Sequence, residues 1–199
     1  MPRPSHSLFA RSFPFCYVTG GCRSGKSAFA QRLAEAAAPS RLYIATCFTD
    51  DGDAEMAERI RLHQKARGKG WRHLEPDAAT LPDLSLLLPQ VARPGEALLL
   101  DCLSLWAASC MQGDKAPANF AERCKKLLHS LWELPCPVFI VGSQVGMGLV
   151  PQSRAARTFC DMAGLAGQQS AAMAQSVVFM VSGLPVLVKG ELPPLAALI

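Results

Sequence analysis

The chain has 199 residues, half of them apolar and 18% charged, which excludes a disordered polypeptide and fits one compact unit. The net charge is only +4, yet Arg59, Arg61, Lys65, Arg67, Lys69 and Arg72 stand together with no acid between Arg59 and His73. The remainder is therefore slightly acidic, which argues against a basic nucleic-acid-binding coat and for a local anion site.

Residues 1–14 mix Pro, Ser, Arg and Phe and read as an irregular tail, with Pro4, His6, Arg11 and Pro14 interrupting the apolar stretch a signal peptide needs. Phe15 to Thr19 reads as a first strand. Lys26 to Ala38 reads as a helix with Phe29, Leu33 and Ala37 on one face, stopped by Pro39. Arg41 to Thr46 is a second strand, and Asp53 is an N-cap for a helix reaching about Arg67. Leu81 to Pro94 reads as a Leu/Pro-rich loop. Ala97 to Asp101 is a continuous apolar run of the kind a buried parallel strand shows. Helices are expected at Leu103 to Met111 and Phe120 to Leu131, a strand at Val138 to Gly142 and a helix at Ser153 to Ala174. Val177 to Lys189 reads as a terminal hairpin. Strands alternating with helices predict an α/β fold with a mostly parallel sheet. No apolar run is long enough to span a membrane; the richest, Val177 to Val188, is broken by Gly183-Leu184-Pro185. Eight cysteines occur singly, without a C-x-x-C pair, so buried reduced thiols of a cytoplasmic protein are expected rather than disulfides or zinc.

Gly20-Gly21-Cys22-Arg23-Ser24-Gly25-Lys26-Ser27 matches G-x-x-x-x-G-K-[ST], with a strand before it and a helix beginning at Lys26. Its glycines let successive backbone N–H groups turn inward around phosphate oxygens, and the helix N-terminus adds positive potential. Lys26 is expected at the β and γ phosphates and Ser27 at Mg²⁺. Asp101, at the end of an apolar strand, is the second expected metal-orienting group, because α/β sheets bind ligands at the carboxyl ends of their strands. These features mark a P-loop NTPase. One nucleotide-binding domain is expected over residues 15–190, with a short tail at 191–199.

Met56, Ile60, His63 and Arg67 share one face of the expected basic helix. The surrounding cations disfavour protonation of His63, and a neutral imidazole can act as a nucleophile while the cations steady a triphosphate. His73 has no comparable support and reads as structural.

With these residues in place, the chain resembles the bifunctional adenosylcobinamide kinase / adenosylcobinamide-phosphate guanylyltransferase family of cobalamin biosynthesis. The resemblance runs from Cys16 to Lys189. It rests on the phosphate loop, Tyr43-Ile44-Ala45-Thr46, Glu55-Met56 through His63, Trp71 with Glu75, and Leu99 to Leu103. Val145-Gly146-Met147-Gly148-Leu149-Val150-Pro151 and Val181-Ser182-Gly183-Leu184-Pro185 complete it. It implies a recombinase-like three-layer α/β/α fold with a mixed sheet and C-terminal antiparallel hairpin, assembled as a homotrimer. It further implies phosphorylation of the aminopropanol hydroxyl of adenosylcobinamide by ATP or GTP, then transfer of GMP from GTP to that phosphate through a guanylylated histidine, His63. The implied nucleotide contacts are the phosphate loop, Ala45, Thr46, Cys47, Gln64, Lys65, Ala66, Arg67, Glu75 and Asp101. The chain departs from the family's usual pattern at Ser143-Gln144, where Asn-Glu is usual, at Cys160, where Arg is usual, and at Gly167, where Asn is usual. Those departures raise a kinase-only enzyme as one alternative; a nucleic-acid-stimulated, recombinase-like ATPase using the basic segment is another.

Overall fold

The computed structural model of the chain describes residues 12–47 and 68–192. The expected helix from Asp53 to Arg67, with His63 and Gln64 to Arg67, lies outside the described residues. The elements in chain order are β1 (Phe15–Gly20), α1 (Lys26–Ala37), β2 (Ser40–Ala45), β3 (Trp71–Leu74), a 3₁₀ turn at Leu81–Asp83, α2 (Leu84–Val91), β4 (Glu96–Asp101), α3 (Leu103–Ser109), α4 (Phe120–Trp132), β5 (Val138–Ser143), α5 (Arg154–Met173), β6 (Ser176–Val181) and β7 (Leu184–Lys189). The strands form one sheet in the order β3-β2-β4-β5-β1-β6-β7. Every pairing is parallel except that of β6 with β7.

Side-chain alternation along the strands divides the apolar residues into two cores, one on each face of the sheet. Cys16 and Val18 of β1, with Leu99, Phe139 and Val178, pack on Phe29, Ala30 and Leu33 of α1. Phe15 and Tyr17, with Leu98, Leu100 and Ile140, face the opposite way, onto Leu84 and Leu88 of α2, Trp106 of α3, Leu127 and Leu131 of α4 and Met162 of α5. The layers are therefore α/β/α, as the resemblance implies. Burial of each such Leu contributes roughly 1.5–3 kcal/mol, so the two cores hold the strand ends in fixed register for the site above them.

Two elements differ from the sequence expectation. The Leu/Pro-rich stretch contains a helix, α2, although Pro89 lies inside it. Leu81, Leu84 and Leu88 are fully buried at helical spacing and drive it. Pro89 cannot donate to Ser85 O four residues earlier, and Ser130 Oγ on α4 donates to that carbonyl instead, at 2.8 Å. The second difference is β3, a four-residue edge strand whose sequence, Trp-Arg-His-Leu, has no apolar run to announce it. Its residues are only half-buried or exposed, and among the described residues one of its edges has no neighbouring strand.

At the other edge, β6 turns into β7 through Ser182 (φ 50°) and Gly183 (φ 86°), a two-residue hairpin with both central residues left-handed. That primed turn matches the twist of the flanking strands. α5 begins at Ser153, whose Oγ accepts from Ala156 N at 3.2 Å.

Candidate nucleotide-binding site

The loop between β1 and α1 curls because its backbone takes conformations that most side chains resist. Gly25, the residue before α1, has φ 88°, and Arg23 sits at φ 53°. Ser24 N donates to Gly21 O at 3.3 Å, closing the curl, and Gly183 N of the β6–β7 turn donates to Ser24 O at 3.0 Å. A Cβ on Gly20 would stand 2.6 Å from Ser24 Oγ and 2.7 Å from Met180 O, so only glycine fits the start of the loop. Lys26 turns back over the loop, its Nζ donating to Gly21 O at 3.1 Å. Cys22 and Arg23 are exposed, while Ser24 is buried with its hydroxyl unpaired. The loop, the ammonium and the first turn of α1 together present hydrogen-bond donors and positive charge at the carboxyl end of β1, which suits phosphate oxygens.

Asp101 ends β4, two strands from the loop, on the α1 side of the sheet. Tyr43 of β2, on that same face, donates its hydroxyl to Asp101 Oδ2 at 3.2 Å. Tyr43 packs edge-on against Trp71 and beside the ring of exposed His73. Thr46, buried, is an expected nucleotide contact, but its hydroxyl is engaged by backbone: it donates to Cys102 O and accepts from Cys102 N, both at 2.6 Å. Its backbone N–H also donates to Asp101 O at 3.1 Å. Thr46 thus pins the end of β4 to β2 and aims Asp101. Ser104 does the same for β5, its Oγ donating to Ser143 O at 3.3 Å and accepting from Ser143 N at 2.8 Å.

Ala45 ends β2 beside Asp101, Cys47 follows half-buried, and Glu75 stands exposed just beyond β3, so all three lie at the carboxyl edge of the sheet. Of the basic segment, Lys69 and Arg72 are described, and Arg72 is a correction to the expectation of one anion-facing wall. It binds Glu96 through Nε at 2.9 Å and Nη2 at 2.6 Å, and Val91 O at 2.9 Å. Glu96 opens β4, at the sheet end opposite Asp101. Arg72 holds Glu96 below the ordinary carboxylate range, against the cost of burial. This cation neutralises a buried acid and does not face the loop.

Sequence reasoning gave no role to Tyr43, Ser104 or Tyr17. For Tyr43 the available signal is its parity: it lies two residues before Ala45 on one strand face, and Ala45 is in register with Asp101. Tyr17 and Thr19 open onto a cavity of about 380 Å³ between the sheet and α5, bounded also by Gln144, Gly167, Gln168 and Phe179. Ser143, Gln144 and Gly167, three of the four departures from the family pattern, line this one cavity. The fourth, Cys160, lies beside Gly146, with Sγ 3.8 Å from a Cβ built there.

The donors at the loop fit Mg²⁺. A hydroxyl on Ser27 and a carboxylate on Asp101 are hard oxygen ligands of the sort that hold this ion through one or two protein contacts while phosphates and water supply the rest. Among the described residues no cluster of three or more His, Cys, Asp or Glu forms a closed metal cage. Cys16, Cys102, Cys110, Cys124 and Cys136 are buried thiols outside any disulfide. Burial pushes Cys16 and Cys102 up to about 11 and Cys124 up to about 12, so these three stay protonated and unreactive. Among the described residues no helix is long and apolar enough to cross a membrane.

The chain is similar to known proteins over nearly its whole length. It is 39% identical over 174 residues to the bifunctional adenosylcobalamin biosynthesis protein CobP of Pseudomonas aeruginosa, covering 87% of this chain and 96% of that one. It is 36% identical over 184 residues to the bifunctional adenosylcobalamin biosynthesis protein CobU of Escherichia coli, covering 86% and 98%. Among solved structures, the PH0250 protein of Pyrococcus horikoshii shares the fold at TM-score 0.51 and 7% identity, over 89% of this chain and 86% of that one. A family model described as cobinamide kinase / cobinamide phosphate guanyltransferase matches residues 16–188, and the chain belongs to that family.

Proposed function

We propose that the protein is a bifunctional transferase of cobalamin biosynthesis. It phosphorylates adenosylcobinamide with ATP or GTP and then transfers GMP from GTP to the product, giving adenosylcobinamide-GDP. The observation that carries this is a complete phosphate loop, with Lys26 drawn over it and Asp101 aimed by Tyr43 and Thr46, in a chain the family model matches from residue 16 to 188.

In the first reaction the acceptor hydroxyl oxygen bonds to the γ-phosphorus, the bond to the β–γ bridging oxygen breaks, and the hydroxyl proton passes to solvent. The loop's N–H groups and Lys26 hold the phosphates in line and offset the charge on the departing diphosphate. Ser27 and Asp101 would hold Mg²⁺, which would add neutralisation of the phosphate oxygens. In the second reaction a neutral nitrogen of His63 bonds to the α-phosphorus of GTP and pyrophosphate leaves. An oxygen of cobinamide phosphate then takes the GMP and restores the imidazole. His63 and the contacts expected of Gln64, Lys65, Ala66 and Arg67 rest on the resemblance, as those residues lie outside the described ones. Ala45, Cys47 and Glu75 line the nucleotide at the carboxyl edge, and Thr46 acts by positioning.

Exposed Met147, Leu149 and Val150, and β7, which has no second strand neighbour among the described residues, offer apolar surface that supports self-association. The homotrimer is the assembly this reading carries, tested by sedimentation equilibrium. A cytoplasmic location, without nucleic acid as a partner, completes it.

The test pairs two assays. The wild-type chain must phosphorylate cobinamide, and it must take up label from GTP carrying α-³²P in an acid-labile, base-stable form. Label persisting in His63→Ala overturns the histidine intermediate. Phosphorylation without any label leaves the kinase half alone, the second reading, which the departures at Ser143-Gln144, Cys160 and Gly167 raise.

A further inference from the structure

The cavity beside the phosphate loop is built for a neutral ligand. Thr19 in its wall directly precedes Gly20, and Gln144, at its rim, donates its backbone N–H to Gly20 O at 2.9 Å. It therefore abuts the first residue of the loop on the side of the sheet away from α1. At about 380 Å³ it is within the range of small-ligand sites yet far too small for a corrin macrocycle. Among the described residues its lining carries no charged side chain: the walls include Val177, Phe179 and Ala171, and the polar groups are the Tyr17, Thr19 and Ser143 hydroxyls and the Gln144 and Gln168 amides. A triphosphate would find no countercharge there.

Two features point to an occupant. Thr19 is 4% exposed and fronts the cavity, its hydroxyl partnered by the Tyr17 phenol that lines the same space. A hydroxyl both donates and accepts, so this pair keeps hydrogen-bonding capacity that a ligand donor or acceptor would use. Tyr17 reaches the cavity because Gly142 and Gly167 leave room for its ring; a Cβ on Gly167 would stand 3.1 Å from the phenol oxygen.

We propose that this cavity receives the amide-linked aminopropanol arm of the cobinamide acceptor, with Thr19 and Gln168 hydrogen-bonding its amide and hydroxyl groups. The macrocycle stays outside, and the arm's end is delivered to the loop at Gly20. The proposal rests on the phosphorylation of cobinamide proposed above.

The test measures phosphorylation of cobinamide by the full chain for wild type, Thr19→Val and Gln168→Leu. Thr19→Val keeps the shape and removes the hydroxyl; Gln168→Leu removes an exposed amide from the surface of α5. Each should raise KM for cobinamide about 2- to 10-fold, the loss of one neutral hydrogen bond. KM for ATP or GTP should stay within about twofold, and Thr19→Val should melt within a few degrees of wild type, since it removes a single neutral hydrogen bond, that with Tyr17. Unchanged KM for cobinamide in both variants overturns the assignment. So does a nucleotide KM that rises instead, which would give the cavity to the nucleotide. Failure of the wild type to phosphorylate cobinamide at all defeats the proposed function itself, a result distinct from either. Should Thr19→Val fold poorly, Gln168→Leu and spectral titration with dicyanocobinamide decide the matter alone.

Discussion

The phosphate loop and the cavity meet at Gly20 but are built in opposite ways. The loop is eight consecutive residues shaped by their own backbone, so its chemistry is written locally. The cavity takes Tyr17 and Thr19 from β1, Gln144 from the end of β5, Gly167 and Gln168 from α5 and Phe179 from β6, and exists only once the sheet has closed. The loop presents donors and charge; the cavity presents neutral hydroxyls and amides on apolar walls. The proposed phosphorylation uses both kinds of surface, since its donor is a polyanion and the reacting end of its acceptor an uncharged alcohol.

The largest effect is expected where the loop's charge is removed. Lys26→Ala should lower kcat/KM for cobinamide phosphorylation by about 10²- to 10³-fold, the usual consequence of losing one positioned donor at a developing charge. Its melting temperature should stay near that of wild type, because Lys26 is only half-buried and its contact is with a loop carbonyl. A fall of less than tenfold would mean that phosphate is held chiefly elsewhere.

The cavity should answer to shape instead. In Gly142→Ala the new methyl would stand 2.2 Å from Tyr17 Oη and 2.7 Å from its ring, so the ring must move. Overpacking of this kind costs roughly 1–3 kcal/mol. The displaced phenol has the cavity to enter, so KM for cobinamide should rise while nucleotide affinity changes little. Thermal melts and the two KM values check this; nucleotide affinity falling first would erase the distinction between the regions.

The same contrast explains what was legible in the sequence. The loop, Asp101, the strand at 138, the helix ending near Met173 and the hairpin through Ser182-Gly183 were readable because each is signalled by adjacent residues or a short period. The hydroxyl clasps of Thr46 on Cys102 and Ser104 on Ser143 were not, since both span strands far apart in sequence. Charge was legible in number and misleading in place. Arg72 adds to the basic segment, yet strand pairing carries it to Glu96 at the far end of the sheet. β3 was missed because an edge strand need not be apolar, and α2 because Pro89 argues locally for a loop.

That last element offers a smaller and more specific test. Ser130→Ala removes the donor that replaces Pro89's missing N–H at Ser85 O. A partly buried carbonyl left without its partner should cost about 1 kcal/mol in urea unfolding. In Ser130→Ala combined with Pro89→Ala the restored backbone N–H can bond to Ser85 O, so much of the loss should return. No recovery in the double variant would show that Ser130 acts in some other way.

The smallest expected effect concerns pH and lies far from both regions. Glu96 has its pKa lowered in the folded chain, first by its hydrogen bonds from Arg72, with a further contribution from Ser40, whose Oγ donates to Glu96 Oε1 at 3.3 Å. A carboxyl whose folded value is depressed adds stability above its unfolded value, and that contribution is lost as pH falls through the unfolded and then the folded value. Stability should therefore decline from about pH 5 downward, and Glu96→Gln, which cannot titrate, should lose less than wild type between about pH 7 and pH 4. The Arg72 side chain is 35% exposed, so water screens the pair and keeps the difference modest. Phosphorylation rates well above that pH range should be unaltered in Glu96→Gln, because the pair sits at the sheet end opposite Asp101. A change in nucleotide KM at neutral pH would instead return Arg72 to the anion site that its neighbours in the sequence suggest.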